Sequence, residues 1–285
     1  MDIQLSDRAF GATVSGVALI SVGDHDFKRI QDLVHERGVV CVKGGELMES
    51  EQVAFAARFG KLEKVFLKEA LSKNFPELFV VSNILENGRP IGSRDAGRFW
   101  HTDGAFFVKP HYLSMLYAVE VPRDPSGRAL GDTDFVGMGP AYDGLSESMK
   151  RRIDGLRAVH DLHHRYERSD NAQEMTRRAQ EFPPRSHPLV IHHPDTGRKM
   201  LFLSEGYTTC IEGLPADESK GMLDELLAHL MRPEFGYRHS WNEADLLIWD
   251  NRATLHHANF DYELPQRRLM RRATVSGKTT LERPQ

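Results

Sequence analysis

The stretch Phe99-Trp100-His101-Thr102-Asp103-Gly104-Ala105-Phe106 decides how the rest of the chain is read. It sets an imidazole and a carboxylate two positions apart, inside a run of aromatic residues that suits a β-strand. Strand residues two apart share a face, so His101 and Asp103 converge while Thr102 turns away. Two protein ligands do not complete a metal site, and an H-x-D tripeptide alone is common by chance. The best third ligand is His256, in Trp249-Asp250-Asn251-Arg252-Ala253-Thr254-Leu255-His256-His257-Ala258. It follows a buried-looking strand, and on a strand His257 points to the opposite face. Two histidines and one carboxylate on one face of an octahedron suit non-haem Fe(II) and leave three positions open.

Outward from that stretch, residues 83–97 are polar and glycine-bearing and read as a loop leading into the metal strand. The apolar run 112–121 is expected to pair beside it. Near the start, Phe10 to Val17 reads as a short strand with its turns. Phe27, Ile30, Leu33 and Val34 recur at helical spacing over 24–37, and Gly38 is the stop signal. Residues 39–42 and 78–82 read as strands, with a helix from about Ser50 to Phe59-Gly60 between them. Further strands are expected at 135–138, 245–249 and 273–275, helices at 149–156 and 222–231, and a hairpin over 189–202 turning at Asp195 to Gly197. The charged region 163–185 is either a surface helix or a lid, and we read it as a lid over the site. Many short strands with few helices predict a mainly β, jelly-roll architecture with flanking helices, in one domain over 1–285.

The bulk numbers narrow the class. With 37 basic and 41 acidic side chains the net charge is -4, which argues against a general nucleic-acid binder. No apolar run approaches a membrane span, and the N-terminus lacks the pattern of a signal peptide. Cys41 and Cys210 belong to no C-x-x-C pair, so reduced thiols in a cytoplasmic protein are expected. A homo-oligomer is compatible with all of this.

The pairs His163-His164 and His192-His193 lack an acidic partner at metal-site spacing and read as solvated or core residues. Pro265-Gln266-Arg267-Arg268-Leu269-Met270-Arg271-Arg272 reads either as a solvated basic patch or as a strand. On a strand Arg268 and Arg272 share one face and Arg267 and Arg271 the other, and each of Arg268 and Arg272 can present a guanidinium fork to an oxyanion.

The set Trp100-His101-Thr102-Asp103, Gly131-Asp132-Thr133, Trp249-Asp250-Asn251-Arg252 with His256, and Arg268 to Thr274 resembles the taurine dioxygenase (TauD/TfdA) family. Its members are Fe(II)- and 2-oxoglutarate-dependent oxygenases, and the resemblance runs from about Phe10 to the end. It implies a double-stranded β-helix with His101, Asp103 and His256 as iron ligands. It also implies that Arg268 holds the distal carboxylate of 2-oxoglutarate, with the Thr133 hydroxyl in support. Arg272 matches the position that meets the substrate's anionic group. Phe66, Phe106 and Phe202 are the other expected pocket residues, and Asp250 and Asn251 the braces of the turn before His256. Having Asp at 103, where related halogenases have a small residue, implies hydroxylation or another oxidation by O2, with release of succinate and CO2. The expected partner is a small anionic organic molecule.

Taurine enzymes of the family carry a histidine soon after the Phe-Gly that ends the early helix, whereas Phe59-Gly60 here leads into Lys61-Leu62-Glu63-Lys64, so taurine is not the expected substrate. Gly104 is smaller than usual and predicts a roomier pocket. Two stretches, Val81 to Gly92 and Leu203-Ser204-Glu205-Gly206-Tyr207, resemble a branch that turns N-carboxymethyl amino acids into isonitriles, but Val65 and Phe66 stand where that branch has tyrosines. A Zn hydrolase on the same three ligands is the alternative from another class, and it would leave Arg268 and Thr133 without a task. A jelly-roll binding protein without metal is the third reading, opposed by the intact triad.

Overall fold

The structure, a computed structural model, describes residues 1–64, 68–166 and 181–282. Its largest sheet has the order β1 (Asp2–Leu5), β2 (Ala12–Ser15), β3 (Val39–Lys43), β15 (Asp245–Asp250), β7 (Leu113–Glu120), β17 (Leu269–Val275) and β4 (Leu78–Ser82). Only β2 and β3 run parallel within it. Strands β14 (Gly236–His239), β8 (Thr133–Gly137) and β16 (Thr254–Ala258) form a second, antiparallel sheet. The smaller sheets are β10 (Arg185–Pro188), β9 (Arg157–His160) and β13 (Thr208–Ile211), then β11 (Val190–His192) with β12 (Lys199–Leu201), and β5 (Leu85–Glu86) with β6 (Arg89–Pro90).

β15 shows why the architecture is layered. Leu246 and Ile248 pack into one apolar cluster, with residues of α1 (Asp24–Arg37) and α2 (Glu49–Ala57), while Leu247 and Trp249 enter another with Phe135 of β8. A strand covered on both faces reads as an unbroken apolar run, as Leu246-Leu247-Ile248-Trp249 does. The second cluster lies between the large sheet and the β14-β8-β16 sheet, the interior of a jelly roll. α1 is a sequence-legible helix: Asp24 and Asp26 sit in its first turn, His35 and Arg37 in its last. Gly38, at φ 72°, closes it with its N–H on the Val34 carbonyl.

Three expectations are corrected. Residues 99–106 are not a strand. His101 makes a single antiparallel bridge with His256, and a turn follows with Gly104 at φ +73°. Strand β7 pairs with β15 and β17, so the run 112–121 does not lie beside residues 99–106. Inside the expected loop 83–97, Asn87 and Gly88 form the two-residue turn of a short hairpin, an Asn-Gly signal passed over in the sequence. The lid expected over 163–185 falls partly outside the described residues; its described ends are the helix Leu162–Tyr166 and strand β10. Among the described residues, no helix is long and apolar enough to cross a membrane.

Candidate metal and cosubstrate site

Two backbone hydrogen bonds join the histidines: His101 N–H to the His256 carbonyl at 3.1 Å, and His256 N–H to the His101 carbonyl at 2.8 Å. This bridge brings the rings side by side, tilted at 43° with centroids 4.1 Å apart. Asp103 then enters from the turn. Thr102 donates its hydroxyl to the Asn251 carbonyl, and Asn251 Oδ1 accepts the Asp103 N–H at 3.4 Å. One ligand atom from each of His101, Asp103 and His256 lies within 4.8 Å of the others, and all three residues are buried. His101 Nε2 is 3.7 Å from Asp103 Oδ1 and His256 Nε2 is 3.9 Å from Asp103 Oδ2. Those separations are too long for hydrogen bonds and suit donors that face one ion.

The donor set fits a divalent ion on a second count. His101 Nδ1 is 2.6 Å from the Phe99 carbonyl, which can only accept, so Nδ1 carries the proton and Nε2 keeps its lone pair. Burial pushes the Asp103 carboxyl up, but Arg272, His256, His101 and the Ser114 hydroxyl outweigh it and hold Asp103 well below the usual carboxylate range. Ser114 Oγ donates to Asp103 Oδ2 at 2.7 Å and accepts from Asn251 Nδ2 at 3.0 Å, while Trp249 Nε1 donates to Asn251 Oδ1 at 2.9 Å. Ser114 was missed in the sequence, where it is one small polar residue in an apolar strand.

Arg268 is 2 % exposed, and its Nε has no hydrogen-bond partner among the described residues. Its backbone is clamped by β4 and the residue after it: Asn83 Oδ1 accepts the Arg268 N–H at 2.9 Å and Ser82 Oγ donates to the Arg268 carbonyl at 2.8 Å. Gly131 explains its own place in the motif. At φ +74°, a Cβ there would stand 3.1 Å from Arg268 Nε and 3.0 Å from the Tyr262 ring. Burial draws the Arg268 guanidinium down from its ordinary value, and Tyr262 and Asp261 oppose that shift. Thr133, buried on β8, accepts a hydrogen bond from Trp241 Nε1 at 3.1 Å.

Arg272 lies over the Phe79 ring at 4.9 Å and donates through Nη1 to Asp103 Oδ1 at 3.1 Å. It pairs with neither Asp132 nor Asp134; Asp134 is held by Arg238 and Asn259. Phe106 packs on Tyr207, with centroids 5.1 Å apart, and Tyr207 stands 6.0 Å from the His101 ring. Phe202 is wholly buried against His160 and His187, and Phe66 lies outside the described residues. The roomier pocket expected at Gly104 is not what forms, because the His111 imidazole fills that space. His257 points away from the ligand cluster, stacks on Trp100 and lines a surface cleft of about 480 Å³ with Arg94, Arg98 and Tyr262.

The pair His192-His193 does have an acidic partner, far off in sequence: His193 Nε2 is 2.9 Å from Asp250 Oδ2. Asp250 also accepts from Arg252 Nε at 2.9 Å, so Asp250 braces the turn before His256 while Asn251 reaches across to Asp103. A second buried cluster, Cys41, His239 and Asp245, has its acid taken by Lys43 at 2.5 Å, and burial pushes the Cys41 thiol up to about 12. Its neutral thiol and paired carboxylate suit an internal ion pair better than a metal.

Comparison with known proteins gives a consistent result. The family described as "Taurine catabolism dioxygenase TauD, TfdA family" matches residues 2–274. The chain is 39% identical over 280 residues to an alpha-ketoglutarate-dependent 2,4-dichlorophenoxyacetate dioxygenase of Cupriavidus pinatubonensis, covering 93% of this chain and 94% of the relative. It is 33% identical to pentalenolactone F synthase of Streptomyces arenae over 92% of this chain and 90% of that protein. Among solved structures, AAD-2 in complex with Mn(II) and N-oxalylglycine superposes with a TM-score of 0.85 at 30% identity, covering 99% of this chain and 100% of that one. The chain therefore belongs to the TauD/TfdA family of 2-oxoglutarate-dependent dioxygenases and has its jelly-roll fold.

Proposed function

We propose that this protein is an Fe(II)-dependent member of the family that oxidises, by hydroxylation, a small organic substrate bearing a carboxylate, sulfonate or sulfate. His101, Asp103 and His256 hold the iron, which supplies dioxygen activation when bound. Arg268 binds the distal carboxylate of 2-oxoglutarate, and the Thr133 hydroxyl supports it. The observation that carries this reading is the pairing of two buried features: three ligand atoms within 4.8 Å of one another, and a guanidinium whose Nε lacks a protein partner. A buried cation with an unpartnered donor is costly, so it is expected to face an anion. Arg272 anchors the substrate's anionic group, in keeping with its position beside Asp103. Phe106 forms an apolar wall next to Tyr207, and Phe202 belongs to the same apolar cluster. Substrate and cosubstrate thus have separate cationic anchors, Arg272 on β17 and Arg268 immediately before that strand.

The test is anaerobic titration with Fe(II) and 2-oxoglutarate. A weak visible charge-transfer band that needs both components supports the reading, and a hydrolase or a binding protein would give none. A screen for substrate-dependent succinate formation across aryloxyalkanoates, sulfonates and alkyl sulfates then identifies the substrate class.

A further inference from the structure

Near Asp103, three buried polar atoms have no hydrogen-bond partner among the described residues: His111 Nδ1, Arg272 Nε and Thr274 Oγ1. Their positions are linked. Arg272 and Thr274 alternate on β17, so they share a face. Thr274 pairs in register with Ser114, which donates to Asp103, and Arg272 donates to Asp103 as well. His111 lies three residues before Ser114. Its ring reaches the residue after Asp103, where a Cβ on Gly104 would be 2.7 Å from His111 Cγ and 2.8 Å from Nδ1. Gly104 also holds φ +73°, a conformation that favours glycine. The chain thus omits a side chain beside a proposed metal ligand, and an imidazole from another segment occupies the space. Phe107 flanks that imidazole, with ring centroids 5.0 Å apart. The nearby Glu63 carboxylate accepts from Ser276 Oγ at 2.6 Å and does not reach Nδ1.

We propose that His111 is a specificity-determining residue that donates a hydrogen bond to the oxyanion of the primary substrate, and that Arg272 and Thr274 complete the same polar end of the pocket. The inference rests on the reading of Arg272 as substrate anchor and extends it. One guanidinium would recognise an anion from a single strand. Donors from β17 and from the segment before β7 recognise it from two directions. That arrangement selects oxyanions over neutral isosteres, because a neutral group leaves buried donors unpaired. A carboxylate and a sulfonate share this chemistry, and the test separates them.

The experiment measures binding by calorimetry to protein loaded with Mn(II) and N-oxalylglycine, so turnover is not needed. The probes are phenoxyacetate against phenoxyacetamide, and hexanesulfonate against hexanesulfonamide. His111→Phe keeps the ring beside Phe107 and removes the N–H. It should weaken the bound anion by roughly 10- to 100-fold, the worth of a hydrogen bond to a charged group. The neutral partner and N-oxalylglycine should bind as in wild type. His111→Gln, which retains a donor, should recover part of the loss, and His111→Leu replaces the Phe variant if that protein fails to load Mn(II). Whichever pair shows the effect names the anion. Undiminished anion binding in His111→Phe, alongside its loss in Arg272→Ala, overturns the role of His111 and leaves Arg272 as anchor. Anion binding that survives Arg272→Ala, or a wild type that prefers neither anion over its neutral partner, overturns the anchor reading and this inference with it.

Discussion

Asp103 accepts hydrogen bonds from Ser114 and Arg272 while facing two imidazoles at 3.7 and 3.9 Å. A carboxylate so surrounded stays ionised and aimed, which is what a metal ligand needs. We therefore expect His101→Ala, Asp103→Ala and His256→Ala each to lose Mn(II) binding by calorimetry, while His257→Ala keeps it because that ring lies against Trp100. Metal loss in His257→Ala with retention in His256→Ala would reverse the choice of histidine. Arg268→Ala should raise the apparent KM for 2-oxoglutarate by about 30-fold or more, from the roughly 2–5 kcal/mol lost when a buried charged partner is truncated. The KM for the primary substrate should move far less, and an unchanged 2-oxoglutarate dependence would pass the role to another arginine. At this scale the sequence was legible where residue type itself carries chemistry: His101, Asp103 and His256, singled out together, do converge in the fold. It was not legible for Ser114 or for His111, whose importance comes from contacts that the fold creates. A serine among apolar residues, or a histidine after a proline, has no local pattern to mark it.

Between β15 and β16 the chain turns within a few residues, and that turn delivers both Asn251 and His256 to the site. Its rigidity comes from Asp250, fully buried, which accepts from Arg252 and lies against His193. Asp250→Asn leaves a buried guanidinium with half its partner. Breaking such a pair costs about 3–5 kcal/mol, which for a chain of this length lowers the melting temperature by roughly 10 °C. The same variant should lose metal affinity, because the turn aims His256. A melting temperature within a degree or two of wild type would show that Asp195, 2.8 Å from Arg252, suffices as its partner. Elements with strong periodicity were legible in outline: α1 matches its apolar spacing and its glycine stop, and β15 its apolar run. Residues 99–106 misled because aromatic residues flanking an H-x-D pattern look like a strand. A single bridge and a left-handed glycine achieve the same convergence with less regular structure. The partner of β7 was misassigned for the same reason, since the expected neighbour is not a strand.

Across the whole molecule, histidines packed into apolar layers set the expected response to acid. His160 is wholly buried between His187 and Phe202, and burial pulls its pKa from 6.5 to about 3. Burial also lowers His187 and His35, against carbonyls for the first and against Asp250 and Asp195 for the second. In the unfolded chain these imidazoles take up protons near their ordinary value of about 6.5. The folded form takes them up only at lower pH, so the unfolded state binds more protons as pH falls and stability declines with it. For His160 the decline begins near the unfolded pKa and levels off near pH 3, once the folded ring is itself protonated. Asp103 and Asp250 act in a lower window, because their folded pKa values lie beneath the ordinary carboxylate range: their stabilisation is full above the unfolded pKa near 4 and is lost as pH falls further. Two acid phases are therefore expected in denaturant midpoints taken from pH 7 to pH 3, the upper one due to histidines. His160→Phe should flatten the stretch between pH 6.5 and 4 while leaving the drop below pH 4 in place. An identical slope in His160→Phe and wild type over the upper stretch would show that His160 is not held neutral by its burial.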